Sequence, residues 1–395
     1  MLLALLDFRA PLRGKLIRWW PGPRAAKTSG PGARPEARLG LAMTLPTEPI
    51  GSIPRPHELI EGMKAFGEGR ISSDALEALF DGAVRDTIRR FEETGSPVIT
   101  DGEQRKPSFA TYPVHGLKNL APGGVTIPFR DGHTRQLPVL TAGPFRYAAY
   151  AAGYLESARK YASAPLKEAV ISASALSLLY PQAGIPGYPR EAFLEDLVRE
   201  AETDIRRCLA AGASVQIDFT EGRLCIKLDP SKKLLDAFVD LNNRVLDRFT
   251  PGERRRIGVH TCPGGDRDST HSADVDYAEL LPALFRLRVG NFFVQLASEP
   301  DRPRVLRILG SHASEGRRIF VGVTDPIDPR VETAAEVRDR ILEAARFIEP
   351  GHLGSTDDCG FSPFGDDRST SRDTAFAKIR ARVEGNALAS RQLGA

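Results

Sequence analysis

His260 and Cys262 stand two apart in "GVHTCPGG" (258–265), and Cys359 stands in "LGSTDDCGFSPF" (353–364). Alternate side chains of a strand share a face, so a strand ending at Cys262 would aim both donors one way. One imidazole and two thiolates suit zinc. Three protein ligands with an open position describe a catalytic zinc site rather than a structural one. An H-x-C pair alone is weak evidence, because most buried cysteines are inert packing residues. The metal reading therefore needs Cys359 to reach the same place. Cys208 falls on an apolar helical face and Cys225 follows a strand, so both are expected to pack rather than ligate. Four scattered cysteines make no disulfide framework and suit a reducing cytoplasm. His57, His115, His312 and His352 fall in expected loops or helix ends and are expected at the surface.

The elements that would position these donors follow from periodicity. Apolar residues recur at steps of three and four from Asp74 to Thr94, with Asp74 and Glu77 resembling a capping box and Gly95 as a stop. A second helix is expected from Arg190 to Ala211, with Phe193, Leu197, Ala201, Ile205 and Cys208 on one face. Short apolar runs at 47–52, 97–103, 168–176, 213–219, 256–262, 291–296, 319–325 and 352–360 read as strands, most of them separated by helix-length segments. A further run at 136–143 reads as a hairpin strand outside this series. Repeated βα units predict an α/β fold with a parallel sheet, and eight of them favour a closed (β/α)8 TIM barrel. A doubly wound sheet is the alternative. In a barrel the C-terminal strand ends share one face. Those ends would carry Ser52, Asp101, Glu103, Ser172, Ser174, Asp218, His260, Cys262, Gln295, Asp325 and Cys359.

The net charge of +3 is unevenly placed: residues 1–42 hold eight Lys and Arg against two acids, leaving the rest of the chain at −3. A mildly acidic body argues against nucleic acid as a partner. No apolar run approaches the roughly 18 residues of a membrane span. Residues 1–42, with five Pro, five Gly and both tryptophans (Trp19 and Trp20), read as a disordered N-terminal extension before a single domain over 43–395. A mitochondrial transit peptide is the competing reading of that basic segment.

Taken in order, "IGSIPRP", "DGE", "VQID", "HTC" and "DDCGFSP" resemble the catalytic barrel of cobalamin-independent methionine synthase and its single-barrel relatives, over about residues 47–390. The resemblance implies zinc held by His260, Cys262 and Cys359, an acceptor homocysteine held through Ser52, Glu103 and Asp218, and attack of the zinc-bound thiolate on a methyl group carried by a folate. Relatives on the same barrel open epoxides with a thiol, so the partners are a small-molecule thiol and an alkyl donor of unfixed identity.

Departures from the family pattern are specific. The family's glutamate ligand has no direct counterpart; strand parity places Gln295 there, with Glu299 in reserve. "QIDFT" has lost one acid of the acceptor pocket, which Glu221 would replace. The body has no Trp to stack on a folate, and His271 or Asp325 must assist the departing donor. Two other classes compete with thiol alkylation: a metal-free barrel lyase or decarboxylase, and a non-enzymatic descendant that binds a small ligand. Clustered charges over 359–385 suit a lid, a contact in a homo-oligomer, or a solvated loop leading into a terminal helix.

Overall fold

A computed structural model describes residues 44–264 and 270–394. The expected extension over 1–42 lies outside the described residues. Six strands form one parallel sheet: β1 (Lys167–Ile171), β2 (Ser214–Asp218), β3 (Ile257–Thr261), β4 (Asn291–Val294), β5 (Arg318–Thr324) and β6 (Leu353–Asp357). Each pairs only with its neighbours in chain order, so the sheet lacks the reversal of a doubly wound fold.

Two more segments complete the ring. Thr47 bridges Ser355 of β6 in parallel, and Ile99 bridges Leu166 at the start of β1. They are joined to each other by Ile53 N–H donating to Gly102 O (3.1 Å) and by Thr100 Oγ1 donating to Gly51 O (2.7 Å). Hydrogen bonding thus runs from β6 through 46–53 and 98–102 back to β1, and all eight expected positions take part in the barrel. The first two are single bridges because Pro46, Pro49, Pro54 and Pro97 remove ladder donors.

The barrel interior is narrow and filled by rings. Phe293 and Phe320 stack at 4.6 Å with Ile50 beside them. Gly258 and Gly354 allow this, since a Cβ on either would sit 2.5 Å from one of those rings. Lys167 Nζ lies 3.9 Å from the Phe293 ring centroid. A larger apolar layer packs between the strands and the helices outside them.

The Ser73–Glu93 helix occupies its expected place, but its cap is Ser72, whose Oγ accepts from Ala75 N–H at 3.2 Å. Glu77 is drawn away to Arg105. The Arg190–Ala210 helix buries Phe193, Leu197, Ala201, Ile205 and Cys208 as its spacing predicts. The run at 168–176 divides: β1 stops at Ile171, and Ser172 caps a short helix, Ala173–Ser177. The Gly- and Pro-rich stretch after residue 115 forms two small antiparallel ribbons, Leu120–Ala121 with Val139–Leu140 and Thr126–Pro128 with Thr134–Gln136. It reaches the loop after β3 through Arg130 N–H donating to Thr270 O at 2.8 Å. Among the described residues no helix is long and apolar enough to cross a membrane.

Candidate metal centre

His260 is the fourth residue of β3, Cys262 follows its end, and Cys359 lies two residues past β6. Strands β4 and β5 intervene, so only curvature of the sheet across the barrel mouth can bring these donors together. Their ligand atoms all lie within 4.8 Å of one another, and all three residues are buried. The two sulfurs are 2.6 Å apart and both cysteines are free.

His260 is prepared for a metal. Its Nδ1 faces Phe293 O at 3.4 Å, so that nitrogen carries the proton and donates. Its Nε2 is buried with no hydrogen-bond partner. A carbonyl that fixes the tautomer while the other ring nitrogen stays open is the usual outer support of a metal-bound histidine. Burial opposes charge on His260, yet the Cys262 sulfur and Asp218 raise its proton affinity overall. Burial also opposes ionisation of Cys262, but the Cys359 thiol donating to it and the adjacent His260 hold it well below the usual thiol range. Burial and the Cys262 sulfur push Cys359 upward. A cation placed among these atoms would satisfy the open nitrogen and both sulfurs, and this donor set suits zinc.

Around the centre lies an acid-rich wall. Glu103 adopts φ +57°, a left-handed conformation that costs a non-glycine residue energy, and Asp101 Oδ1 holds its N–H at 2.7 Å. Burial lifts the Glu103 carboxyl to about 7 against the opposing pull of Lys106. Lys106 itself is buried, 3.3 Å from Glu103 and 2.7 Å from Glu168. Asp218 is also raised by burial, although His260 acts against this and Gln216 donates to it at 2.8 Å. Glu221 takes a hydrogen bond from Ser172 Oγ at 2.6 Å and another from Ser174 Oγ, while its second oxygen is buried without a partner. Burial lifts Glu221 to about 7. Ser52 packs on the Cys359 loop, where its Oγ accepts from Ser362 N–H at 3.1 Å.

On the other side, Gln295 and Glu299 share a partner. Arg223 Nη1 donates to Gln295 Oε1 at 3.1 Å and to Glu299 Oε1 at 2.9 Å. Asp325 stands past β5 and is raised by burial. His271 is partly buried, N-terminal to the Tyr277–Leu284 helix, and burial lowers it to about 4. Its ring meets Phe129 edge-on at 6.1 Å.

Cys208 and Cys225 are buried away from the cluster, as expected. His57 and His115 are exposed, whereas His312 and His352 are partly buried: the first stacks on Phe285 at 4.5 Å and the second faces Arg317 O at 3.0 Å. Three residues escape a reading by motif. Lys106 had a signal, three residues after Glu103. Asp358, beside Cys359, accepts from the N–H groups of Leu296, Ala297 and Ser298, each at 2.8 Å. It thereby ties the loop after β4 to the Cys359 segment. Arg223 had none, because nothing local marks a helical arginine as buried.

A closed β/α barrel with a buried imidazole and two sulfurs at its C-terminal mouth defines a zinc-dependent enzyme built to activate a thiol. Comparison with known proteins supplies the particular family. The family described as "Cobalamin-independent synthase, Catalytic domain" matches residues 45–384. The chain belongs to that family, the cobalamin-independent methionine synthases. It is 22% identical over 358 residues to a methionine synthase of Saccharolobus solfataricus, covering 88% of this chain and 96% of that protein. A methionine synthase of Sulfurisphaera tokodaii is 23% identical over 350 residues, with coverage of 88% and 94%. Among solved structures, a B12-independent methionine synthase from Shewanella sp. W3-18-1 in complex with selenomethionine superposes with a TM-score of 0.71 at 19% identity, covering 89% of this chain and 99% of that one. A vitamin-B12 independent methionine synthase described as putative, from Listeria monocytogenes, gives 0.64 at 21% identity, with coverage of 87% and 98%. At these identities the superpositions speak for the fold.

Proposed function

We propose that the protein transfers a methyl group from a 5-methyltetrahydrofolate-type donor to the sulfur of homocysteine, giving methionine. The observation that carries this reading is the convergence of His260, Cys262 and Cys359, with the Nε2 of His260 left open. Zinc, when bound there, would keep the acceptor sulfur as a nucleophilic thiolate at neutral pH. Ser52, Glu103 and Asp218 hold the acceptor beside it, the Glu103 and Asp218 carboxyl groups facing its ammonium group and the Ser52 hydroxyl offering a hydrogen bond. Glu221 adds a third carboxyl, with one oxygen not yet engaged. The raised Asp325 carboxyl suits proton delivery to the departing donor, while His271, neutral at pH 7, suits acceptance of a hydrogen bond.

The runner-up on this site is addition of a thiol to an epoxide, which uses the same thiolate and a different electrophile. We further read the chain as cytoplasmic, on its free cysteines, with residues 1–42 as an extension and 43–395 as one barrel. A homo-oligomer and the lack of a nucleic-acid partner belong to the same proposal.

Zinc content of the purified chain, with the zinc-edge X-ray absorption spectrum before and after homocysteine, tests the reading. Near-stoichiometric zinc and one additional sulfur on homocysteine addition are expected. Zinc without a new sulfur would move the search to other thiols and to epoxides. Absence of zinc would overturn the proposal.

A further inference from the structure

The β3–β4 register sets His260 opposite Phe293 and Thr261 opposite Val294, and continuing it by one residue past both strand ends would bring Gln295 level with Cys262. Glu299 follows one turn later, its N–H donating to Leu296 O at 3.1 Å. Both carry oxygen atoms able to ligate a metal, and both oxygens accept from one cation, Arg223. Arg223 is 2% exposed. Besides its bonds to Gln295 and Glu299, it donates through Nε and Nη2 to Val275 O at 3.0 and 2.7 Å and lies 4.8 Å over the Tyr277 ring. The other end of Gln295 is fixed too, its Nε2 donating to Ser298 Oγ at 2.8 Å. Ser298 Oγ in turn donates to Asp358 at 2.7 Å.

Turning the Gln295 oxygen to a metal would take an acceptor from a buried guanidinium, and drawing the Glu299 carboxylate away from Arg223 would break a buried charge pair, which is strongly destabilising. Resting on the reading of His260, Cys262 and Cys359 as the protein ligands, we propose that Arg223 is a positioning residue that withholds Gln295 and Glu299 from the metal. The metal then has three protein donors, and its remaining positions are kept for the substrate sulfur. Neutral imidazole and two thiolates balance a divalent cation, so the centre is neutral until the acceptor thiolate binds.

The test uses the full chain loaded with cobalt(II), whose visible bands report coordination, together with zinc affinity by chelator competition. Gln295→Ala is expected to keep the cobalt spectrum and to hold zinc within about threefold of the unaltered chain. Arg223→Met frees the Glu299 carboxylate, so the cobalt bands should change as a carboxylate oxygen joins the metal and zinc should bind more tightly. Adding Glu299→Gln should reverse both changes, which a merely structural role for Arg223 would not produce. A tenfold or larger loss of zinc affinity in Gln295→Ala, or a shifted cobalt spectrum there, would overturn the inference; so would an unchanged spectrum in folded Arg223→Met. Should Arg223→Met fail to fold, Glu299→Gln alone decides: unchanged zinc affinity supports withholding and a tenfold loss refutes it. Failure of the unaltered chain to bind either metal is a different result, and removes the zinc reading itself.

Discussion

A cysteine serves this site only as a thiolate, and burial alone would keep Cys262 and Cys359 protonated. Zinc bound there would remove those protons and link the three donors, so each ligand should be individually indispensable. Cys359→Ser is expected to weaken zinc by more than about 100-fold, because changes outside the ligand shell alone cost about 10–100-fold; chelator competition measures it. Glu221 offers a test by pH. Its folded-state value of about 7 lies above the ordinary 4.5, so its contribution to stability is complete in acid and is lost as pH rises through 7. Glu221→Gln keeps an acceptor for Ser172 and Ser174 without the buried charge. Its gain over the parent chain should be about 3 kcal/mol near pH 8.5 and under about 1 kcal/mol near pH 5. Thermal unfolding at the two pH values reads the difference, and an equal gain at both would reject the assignment.

At the scale of elements, the strands and their C-terminal ends bear the donors and the glycines set how closely the strands can approach. Gly258 and Gly354 admit the Phe293–Phe320 stack beneath the metal cluster, and neither has a positive φ. Their role is space. Gly354→Ala puts a Cβ 2.5 Å from the Phe320 ring in a barrel with no room to yield. A loss of about 1–3 kcal/mol is expected by denaturant titration. A substitution cost below about 0.5 kcal/mol would show that the stack can move aside.

The whole molecule depends on closure, and closure depends on the C-terminal helix, Arg372–Leu393. Arg382 on that helix is fully buried and reaches both Asp357 in β6 (3.0 Å) and Thr47 in the first barrel segment (2.5 Å). One guanidinium thus clasps the last strand to the first. Arg382→Met leaves the Asp357 carboxylate buried without its cation and should cost about 3–5 kcal/mol. Zinc should be lost along with stability, because Cys359 lies just beyond the strand that Arg382 secures. A variant that unfolds less readily than the parent chain would contradict this account of closure.

What the sequence determined by itself was local and periodic. Steps of three and four placed the Ser73–Glu93 and Arg190–Ala210 helices, and alternating apolar runs with helix-length spacing placed all eight barrel positions. The H-x-C pair could be read because two residues on one strand share a face whatever surrounds them. Helix capping was less legible: Ser72 and Asp74 are both good caps, Ser72 is the one that accepts from the helix, and Glu77 pairs with Arg105 instead. The meeting of Cys359 with His260 needed two intervening strands to curve into a ring, which no spacing states. The same is true of Arg223, whose partners lie 72 and 76 residues away. A buried arginine and an exposed one are identical in sequence. Which donors stay free for a metal is therefore set by long-range ion pairing, and only the tertiary structure decides it.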